Sequence, residues 1–424
     1  MEKVLRSCKA SYTKMSNLKP EHRIAALDFF AKQLRLKKDF LLQENLKDLK
    51  EQSGKISESL YQRLKLTEDK IETLAKGIKD ISLLPNLSNT IAWKKQLDDT
   101  LVLEKKIVPI GVVAIIFESR PDVIPQILSL ILKSGNVAVL KGGKEALNSN
   151  RAFMSIVSDM NSHFDFLPEH WCYLLETREE VSRLLSYSQY VDLVIPRGSN
   201  ELVQTVMNST NIPVLGHADG ICHIYVDSSA SPTKSLDVIV DSKVQYPSAC
   251  NALETLLIHK DIAKNFMESF SQRAAEEGIE LKACDSINAL GYNYSSPESW
   301  SVEYGEKIMA VKIVEDIQSA IEHINTFGSH HTDCILHNNP EVEKIFLDYV
   351  DSACVFSNAS TRFADGYRFG MGAEVGISTS KTHARGPVGI EGLMIYKYQL
   401  KGRSHLVKDY VGSEGRSFNF KFLE

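Results

Sequence analysis

The sequence predicts an α/β protein: a doubly wound parallel sheet, followed by a second α/β domain. Two observations carry this. From residue 107 onward, short apolar runs alternate with amphipathic stretches. The runs are VVAIIF (112–117), VAVLK (137–141), WCYLLE (171–176), VDLVIP (191–196) and CHIYVD (222–227), with segments such as VIPQILSLILKSG and ELVQTVMNST between them. Continuous apolar runs suit strands buried on both faces, and strand–helix alternation is the pattern of a parallel sheet. A second alternating region spans about 241–390 and contains ETLLIH, IMAVKIV, DCILH and ACVFSN. The length of 424 residues agrees, being too long for one ordinary core.

Residues 1 to about 85 read as helical. KPEHRIAALDFFAKQLRLKKDFLLQENLKDLKE places apolar residues at three- and four-residue steps. TEDKIETLAKGI reads as a capping box at Thr67 before a periodic run, and Pro85 ends the segment. After 395 the chain is polar, and YKYQLKG and SFNFKF resemble edge strands. The expected division is therefore 1–240, with the N-terminal helices and a ligand-binding sheet, 241–395, and a tail over 396–424.

Composition narrows the function. The apolar fraction of 43% and charged fraction of 24% are those of a soluble folded chain. A net charge of −5 supplies no basic face for nucleic acid. The strongest apolar stretch, from Ile107 to Phe117, holds a Pro and a Gly and runs into Glu118 and Arg120, so no membrane span is expected. The N-terminal MEKVLRSCKASYTKM lacks the apolar core of a signal peptide. Seven scattered cysteines with no CxxC pair fit a reducing compartment, so a cytoplasmic location is expected.

Cys250 is the first candidate for chemistry. In QYPSACNALETLLIH, Pro247, Ser248 and Asn251 make its surroundings a turn. If that turn opens a helix, unpaired N–H groups and the positive end of the dipole favour the thiolate; the alternative is a buried structural thiol. Cys172, Cys222, Cys334 and Cys354 lie in apolar runs, where a thiol acts as a small hydrophobe. KGGKEA (141–146) and PRGSNELV (196–203) each follow an apolar run and lead into a helix, a place for phosphate or simply an ordinary turn. His217, Asp219, Cys222 and His223, and likewise His330, His331 and Asp333, match no zinc spacing; a satisfied histidine at a strand entry is the expectation, and no metal. The polar, Gly-rich segment 357–387 holds Arg362 and Arg385, which either grip a carboxylate or phosphate or sit on a solvated loop.

Taken in order, six strings resemble the gamma-glutamyl phosphate reductase family of the aldehyde dehydrogenase superfamily: VPIGVVAIIFESRPDV, LKSGNVAVLKGGKEA, VIPRGSNELV, HADGICHIYVD, YPSACNALETLLIH and NASTRFADGYRFGMGAEVGISTSKTHARGPVGIEGL. The N-terminal helices and residues 86–106 match less clearly. The resemblance implies an aldehyde-dehydrogenase-like fold: a cofactor domain, an α/β catalytic domain and a small oligomerisation hairpin. The nicotinamide would lie against the thiol between the two domains, and a homodimer or larger homo-oligomer would draw on 400–424. It implies reduction of L-glutamyl 5-phosphate by NADPH to glutamate 5-semialdehyde, phosphate and NADP, the second step of proline biosynthesis. The only macromolecular partner it suggests, beyond further copies of the chain, is glutamate 5-kinase.

Carried over residue by residue, the resemblance makes Cys250 the nucleophile. Lys141 falls at the adenine ribose, Gly198 and Ser199 at the pyrophosphate, and Glu303 at the nicotinamide ribose. Arg362, Arg385 and Arg120 fall at the substrate pocket. An acyl phosphate passes its acyl group to a thiolate, and hydride then reduces the thioester. The oxyanion would be met by the Cys250 backbone N–H and a polar side chain near Ser119 or Arg120. Hydrolytic relatives carry a glutamate upstream of the cysteine to activate water; the matching stretch here, VLGHADG, has none. Asp122 stands where the family usually has Asn, and is expected to cap the helix that follows. Two rivals stand beside this reading: a reductase of the same fold acting on an acyl-CoA or another semialdehyde, and a catalytically silent scaffold.

Overall fold

The computed structural model describes residues 1–216 and 219–423. The chain divides into two units, Met1–Leu215 with Met371–Gly376 and Val388–Glu424, and Gly216–Gly370 with Ile377–Pro387.

The first unit opens with α1 (Glu2–Ser16), α2 (Pro20–Leu36), α3 (Lys38–Gln52), α4 (Glu58–Leu64) and α5 (Glu68–Leu83). The long periodic stretch is two helices, broken at Lys37. Thr67 caps α5 by accepting from the Lys70 N–H at 3.2 Å. Only half of the expected capping box forms, because the residue that should reach back is a lysine with no acceptor. A hairpin follows, β1 (Ile91–Asp98) and β2 (Leu101–Pro109), in the segment where the sequence resembled its family least.

Then come β3 (Val112–Phe117), α6 (Val123–Ser134), β4 (Val137–Lys141), α7 (Leu147–His163), β5 (Cys172–Leu175), α8 (Arg178–Leu184), β6 (Leu193–Arg197) and α9 (Asn200–Asn208). The four strands form a parallel sheet in the order β5-β4-β3-β6. The strand order reverses between β3 and β6, so the carboxyl ends of these two strands are where a ligand is expected. Buried Arg23 joins the helical layer to this sheet. Its guanidinium donates to the carbonyls of Met15, Ser16, Lys133 and Ser134, the open ends of α1 and α6.

The second unit holds β7 (Cys222–Val226), α10 (Pro232–Val244), β8 (Leu253–His259), α11 (Lys260–Glu276), β9 (Glu280–Ala283), α12 (Asp285–Asn288), β10 (Ile308–Val314), α13 (Ile317–Phe327), β11 (Thr332–Leu336), α14 (Pro340–Tyr349) and β12 (Cys354–Ser357). Its six strands run in the order β12-β11-β7-β8-β10-β9, every pair parallel. This corrects the boundary expected at 240. Residues from 216 onward belong to the second unit because β7 pairs with β8 and β11, strands of the second alternating region.

After the short strands β13 (Ile377–Ser378) and β14 (Gly386–Pro387), the chain returns to the first unit. β15 (Met394–Lys401) pairs with β2, and β16 (Lys421–Leu423) with β1, giving a four-stranded antiparallel sheet in the order β15-β2-β1-β16. Both tail strands are thus edges, although β16 takes in only Lys421 and Phe422 of SFNFKF. Among the described residues no helix is long and apolar enough to cross a membrane, and no group of three or more His, Cys, Asp or Glu side chains could hold a metal ion. His217 lies outside the described residues. His223 is buried with its Nδ1 2.9 Å from Asp333 Oδ1.

Buried His323 on α13 gives a test of the second unit. Lys312 Nζ donates to its Nδ1 at 3.0 Å, and the His223 ring lies 5.5 Å away. Burial first, then the charges of His223 and Lys312, push its pKa down to about 3. An unfolded histidine titrates near ~6.5, so the fold gains from a neutral His323 above that pH and loses the gain as pH falls toward 3. At pH 5 the loss is about 2 kcal/mol. Melting temperatures measured from pH 7.5 to 5 should fall less steeply for His323→Gln than for the wild type. Equal slopes would show that another group sets the acid sensitivity.

Candidate active site

Cys250 sits in a turn between α10 and β8. The turn follows the end of a helix and opens a strand. The helix N-terminus expected to favour its thiolate is therefore not what holds it. The turn is built by local bonds, Ala249 N–H to the Tyr246 carbonyl at 3.2 Å and Ala252 N–H to the Ala249 carbonyl at 2.8 Å. Asn251 Nδ2 donates to the Ala364 carbonyl at 2.9 Å, and the Cys222 thiol to the Cys250 carbonyl at 3.3 Å. Gly220 completes the seat. A Cβ there would lie 2.1 Å from the Cys250 carbonyl oxygen and 2.4 Å from its Cα, so only glycine admits the approach.

The thiols separate by accessibility. Cys8, Cys172, Cys222, Cys334 and Cys354 are buried, whereas Cys250 and Cys284 are half-buried. Burial pushes the Cys8 and Cys334 thiols up to about 12 and raises those of Cys172 and Cys222 well above the ordinary range. Cys284 Sγ lies 3.0 Å from Ser286 Oγ. A buried cation packs on the residues that lead into the Cys250 turn, its guanidinium 5.8 Å from the Tyr246 ring. Arg362 is 8% exposed, and its Nε donates to Gln245 Oε1 at 2.9 Å. Burial and then the charge of Arg368 lower the Arg362 pKa, while the negative form of Cys250 raises it.

The other predicted substrate residues are placed differently. Arg385 donates to Asp351 Oδ1 at 3.0 Å and to the Asp351 carbonyl at 3.1 Å, and Lys381 also pairs with this carboxylate. The two terminal nitrogens of Arg385 are therefore engaged, while its buried Nε has no partner among the described residues. Arg120 is exposed and pairs with Asp122 at 3.4 Å. Asp122 occupies the N-cap position of α6 but makes no side-chain cap bond. It accepts from Arg120 and from Gln126 at 3.5 Å, which corrects the capping role expected for it. Ser119 is engaged by its own neighbour. Both its N–H and its hydroxyl donate to Glu145 Oε1, at 2.7 and 2.6 Å.

The cofactor candidates of the first unit gather at the carboxyl ends of β3, β4 and β6. Ser199 caps α9, its Oγ accepting from the Leu202 N–H at 3.4 Å. The Ser199 N–H donates to Glu118 Oε2 at 2.8 Å. A Cβ on Gly198 would lie 2.3 Å from that same oxygen. An anion thus already rests at the start of α9, supplied by the protein itself, which is direct evidence that these groups accept one. Buried Lys141 ends β4, and its Nζ donates to the Gly142 carbonyl. Burial lowers its pKa, and Glu145 partly restores it. These residues fit a dinucleotide phosphate at a strand-order reversal. In the second unit, half-buried Glu303 lies on the loop before β10.

Glu118, Gly220 and Gln245 were not anticipated. Glu118 is the first charge after VVAIIF, a signal available in the sequence; the approach of Gly220 to Cys250 depends on strand pairing and carries no local signal.

Gly220→Ala should displace the Cys250 turn while leaving both sheets intact. We expect an unchanged circular dichroism spectrum and a loss of turnover of roughly a hundredfold. Turnover and Cys250 alkylation at wild-type rates would mean that the turn tolerates displacement.

Residues 1–284 match the aldehyde dehydrogenase family. The gamma-glutamyl phosphate reductase of Methanosarcina mazei is 46% identical over 435 residues, covering 100% of this chain and 97% of the relative. The crystal structure of the gamma-glutamyl phosphate reductase of Thermotoga maritima superposes with a TM-score of 0.91 at 34% identity, covering 95% of this chain and 99% of that one. A glyceraldehyde-3-phosphate dehydrogenase of Methanocaldococcus jannaschii, solved with NADP, shares the fold at 15% identity, with a TM-score of 0.69 over 95% of this chain and 94% of that one. The chain belongs to the gamma-glutamyl phosphate reductases of the aldehyde dehydrogenase family.

Proposed function

We propose that the enzyme reduces L-glutamyl 5-phosphate to L-glutamate 5-semialdehyde with NADPH, through a thioester on Cys250, as the second step of proline biosynthesis in the cytoplasm. The observation that carries the mechanism is the half-buried thiol on a turn whose leading residues, Gln245 and Tyr246, hold the buried guanidinium of Arg362. The Cys250 thiolate attacks the C5 acyl carbon, the carbonyl π electrons move to oxygen, and collapse expels inorganic phosphate and leaves the thioester. The Cys250 backbone N–H faces the oxyanion, and Arg362 balances negative charge on the thiolate and on the departing phosphate. Arg362 is the substrate residue the geometry favours; Arg385 would have to release Asp351 first.

NADPH, when bound, supplies the hydride that turns the thioester into a thiohemiacetal, whose collapse frees the aldehyde and the thiol. Ser199 and Gly198 would hold its pyrophosphate, Lys141 the adenine ribose and Glu303 the nicotinamide ribose. For this the Glu118 carboxylate must leave the Ser199 N–H, since two anions do not share one donor at the start of α9. The antiparallel sheet ends in two open edges, β15 and β16, whose Tyr396, Tyr398, Leu400, Phe420 and Phe422 are exposed. An unpaired edge beside exposed aromatics suits a second copy of this chain, giving a homodimer or larger homo-oligomer.

The reverse reaction tests the proposal. Glutamate 5-semialdehyde is mixed with enzyme and NADP, with and without phosphate, for wild type and Cys250→Ala. NADPH absorbance should rise only with phosphate present and only with Cys250 intact. A rise without phosphate would make the enzyme a hydrolytic dehydrogenase, and no rise at all would favour a silent scaffold.

A further inference from the structure

One buried ion pair lies outside the groups used so far. Lys243, in the last turn of α10, and Glu254, at the start of β8, meet at 2.8 Å with both side chains 0% exposed. A pair this deep is a poor device for stability. Its desolvation rivals its attraction, and apolar residues of similar size often hold a fold as well. What it can do that an apolar pair cannot is bind several backbone segments in fixed directions. The residues between its partners, 244–253, include Cys250, so the pair closes the base of the segment that carries the nucleophile. The Glu254 carboxylate reaches further. Oε2 accepts from the Tyr304 N–H at 3.3 Å and Oε1 from the Gly305 N–H at 3.4 Å. Those N–H groups belong to the two residues that follow Glu303. Lys243 also feels the charge of Glu303.

We infer that Lys243 and Glu254 are positioning residues, a polar clamp that fixes the Cys250 turn and the Glu303 loop in one register. This deepens the mechanism above and rests on its assignment of Glu303 to the nicotinamide ribose. Neither clamp residue touches substrate. Lys243 sets the span of the nucleophile segment, and Glu254 transmits that register to the backbone of the cofactor loop. Gly305 lets the loop present its N–H to the carboxylate. It adopts φ +65, and nothing lies within 4 Å of the position a Cβ would take, so its role is conformational.

The test uses full-length protein in a Cys284→Ser background, so that iodoacetamide reports on Cys250. The variants are Lys243→Met with Glu254→Leu together, Glu254→Gln alone, and Glu303→Gln. Melting temperature, the alkylation rate without cofactor, and NADPH affinity by fluorescence are read for each, followed by kcat and KM. For the apolar pair we expect a melting temperature close to the wild type, an altered alkylation rate, and NADPH binding weakened roughly tenfold. Glu254→Gln keeps the size and one acceptor and should give a smaller change in the same two readouts; it decides the matter if the apolar pair does not fold. A folded apolar pair, or failing that Glu254→Gln, with wild-type alkylation and NADPH affinity would overturn the clamp. Wild-type NADPH affinity in Glu303→Gln would instead remove the cofactor assignment on which the clamp rests.

Discussion

The chemistry of this chain depends on the parallel pairing of β7 with β8. Cys222 is registered against Leu253 and His223 against Thr255, with an irregularity between the two positions. That register brings the residue two before β7, Gly220, onto the backbone of Cys250, three before β8. Two chain segments meet there with no side chain between them. The close approach makes the turn rigid without a helix dipole, and leaves the thiol half-exposed while the neighbouring Cys222 is fully buried. Rigidity of this kind matters for covalent catalysis, because misplacing a reacting atom by about 1 Å can cost a hundredfold in rate.

Charge is distributed around that seat by burial. Arg362 is buried, so its charge is screened less than that of a surface cation such as Arg120. In the first unit the corresponding device is a carboxylate. Glu118 takes the N–H of Ser199, filling the position at the start of α9 that an anionic ligand would take. A helix N-terminus without a partner is an unsatisfied end; with Glu118 on it, the end is satisfied until a stronger anion arrives. At the pyrophosphate position proposed above, a dinucleotide's phosphates would compete with this internal anion, which sets part of the cost of binding.

Much of the fold was legible in the sequence because strands buried on both faces leave continuous apolar runs. VVAIIF and VAVLK became β3 and β4 without a change of boundary. The hairpin β1–β2 left no such mark, since it is half-exposed and carries Lys94, Lys95, Lys105 and Lys106 along its length. The domain boundary was misplaced for a related reason. CHIYVD looks like any other buried strand, and only its pairing partners assign it to the second sheet. Within the site, Cys250 could be read from its turn. The fates of Ser119, Asp122 and Arg385 could not, because each was decided by a partner distant in sequence or by a competing local bond: Glu145, Gln126 and Asp351.

The clamp and the fate of the thioester are connected. The thioester proposed on Cys250 would be open to water, and water needs a base to attack it. Glu254 lies four residues from the nucleophile, and burial pushes its pKa up to about 7, a value suited to a general base. Its surroundings deny it that role. It is 0% exposed, Lys243 takes one oxygen, and the N–H groups of Tyr304 and Gly305 reach both. Both of its oxygens are committed as acceptors, to a lysine and two backbone donors. Upstream, VLGHADG contains no glutamate, and of that stretch His217 and Ala218 lie outside the described residues. On the proposed mechanism, the clamp would thus also withhold the nearest carboxylate in the segment from hydrolysis and leave the acyl group to hydride.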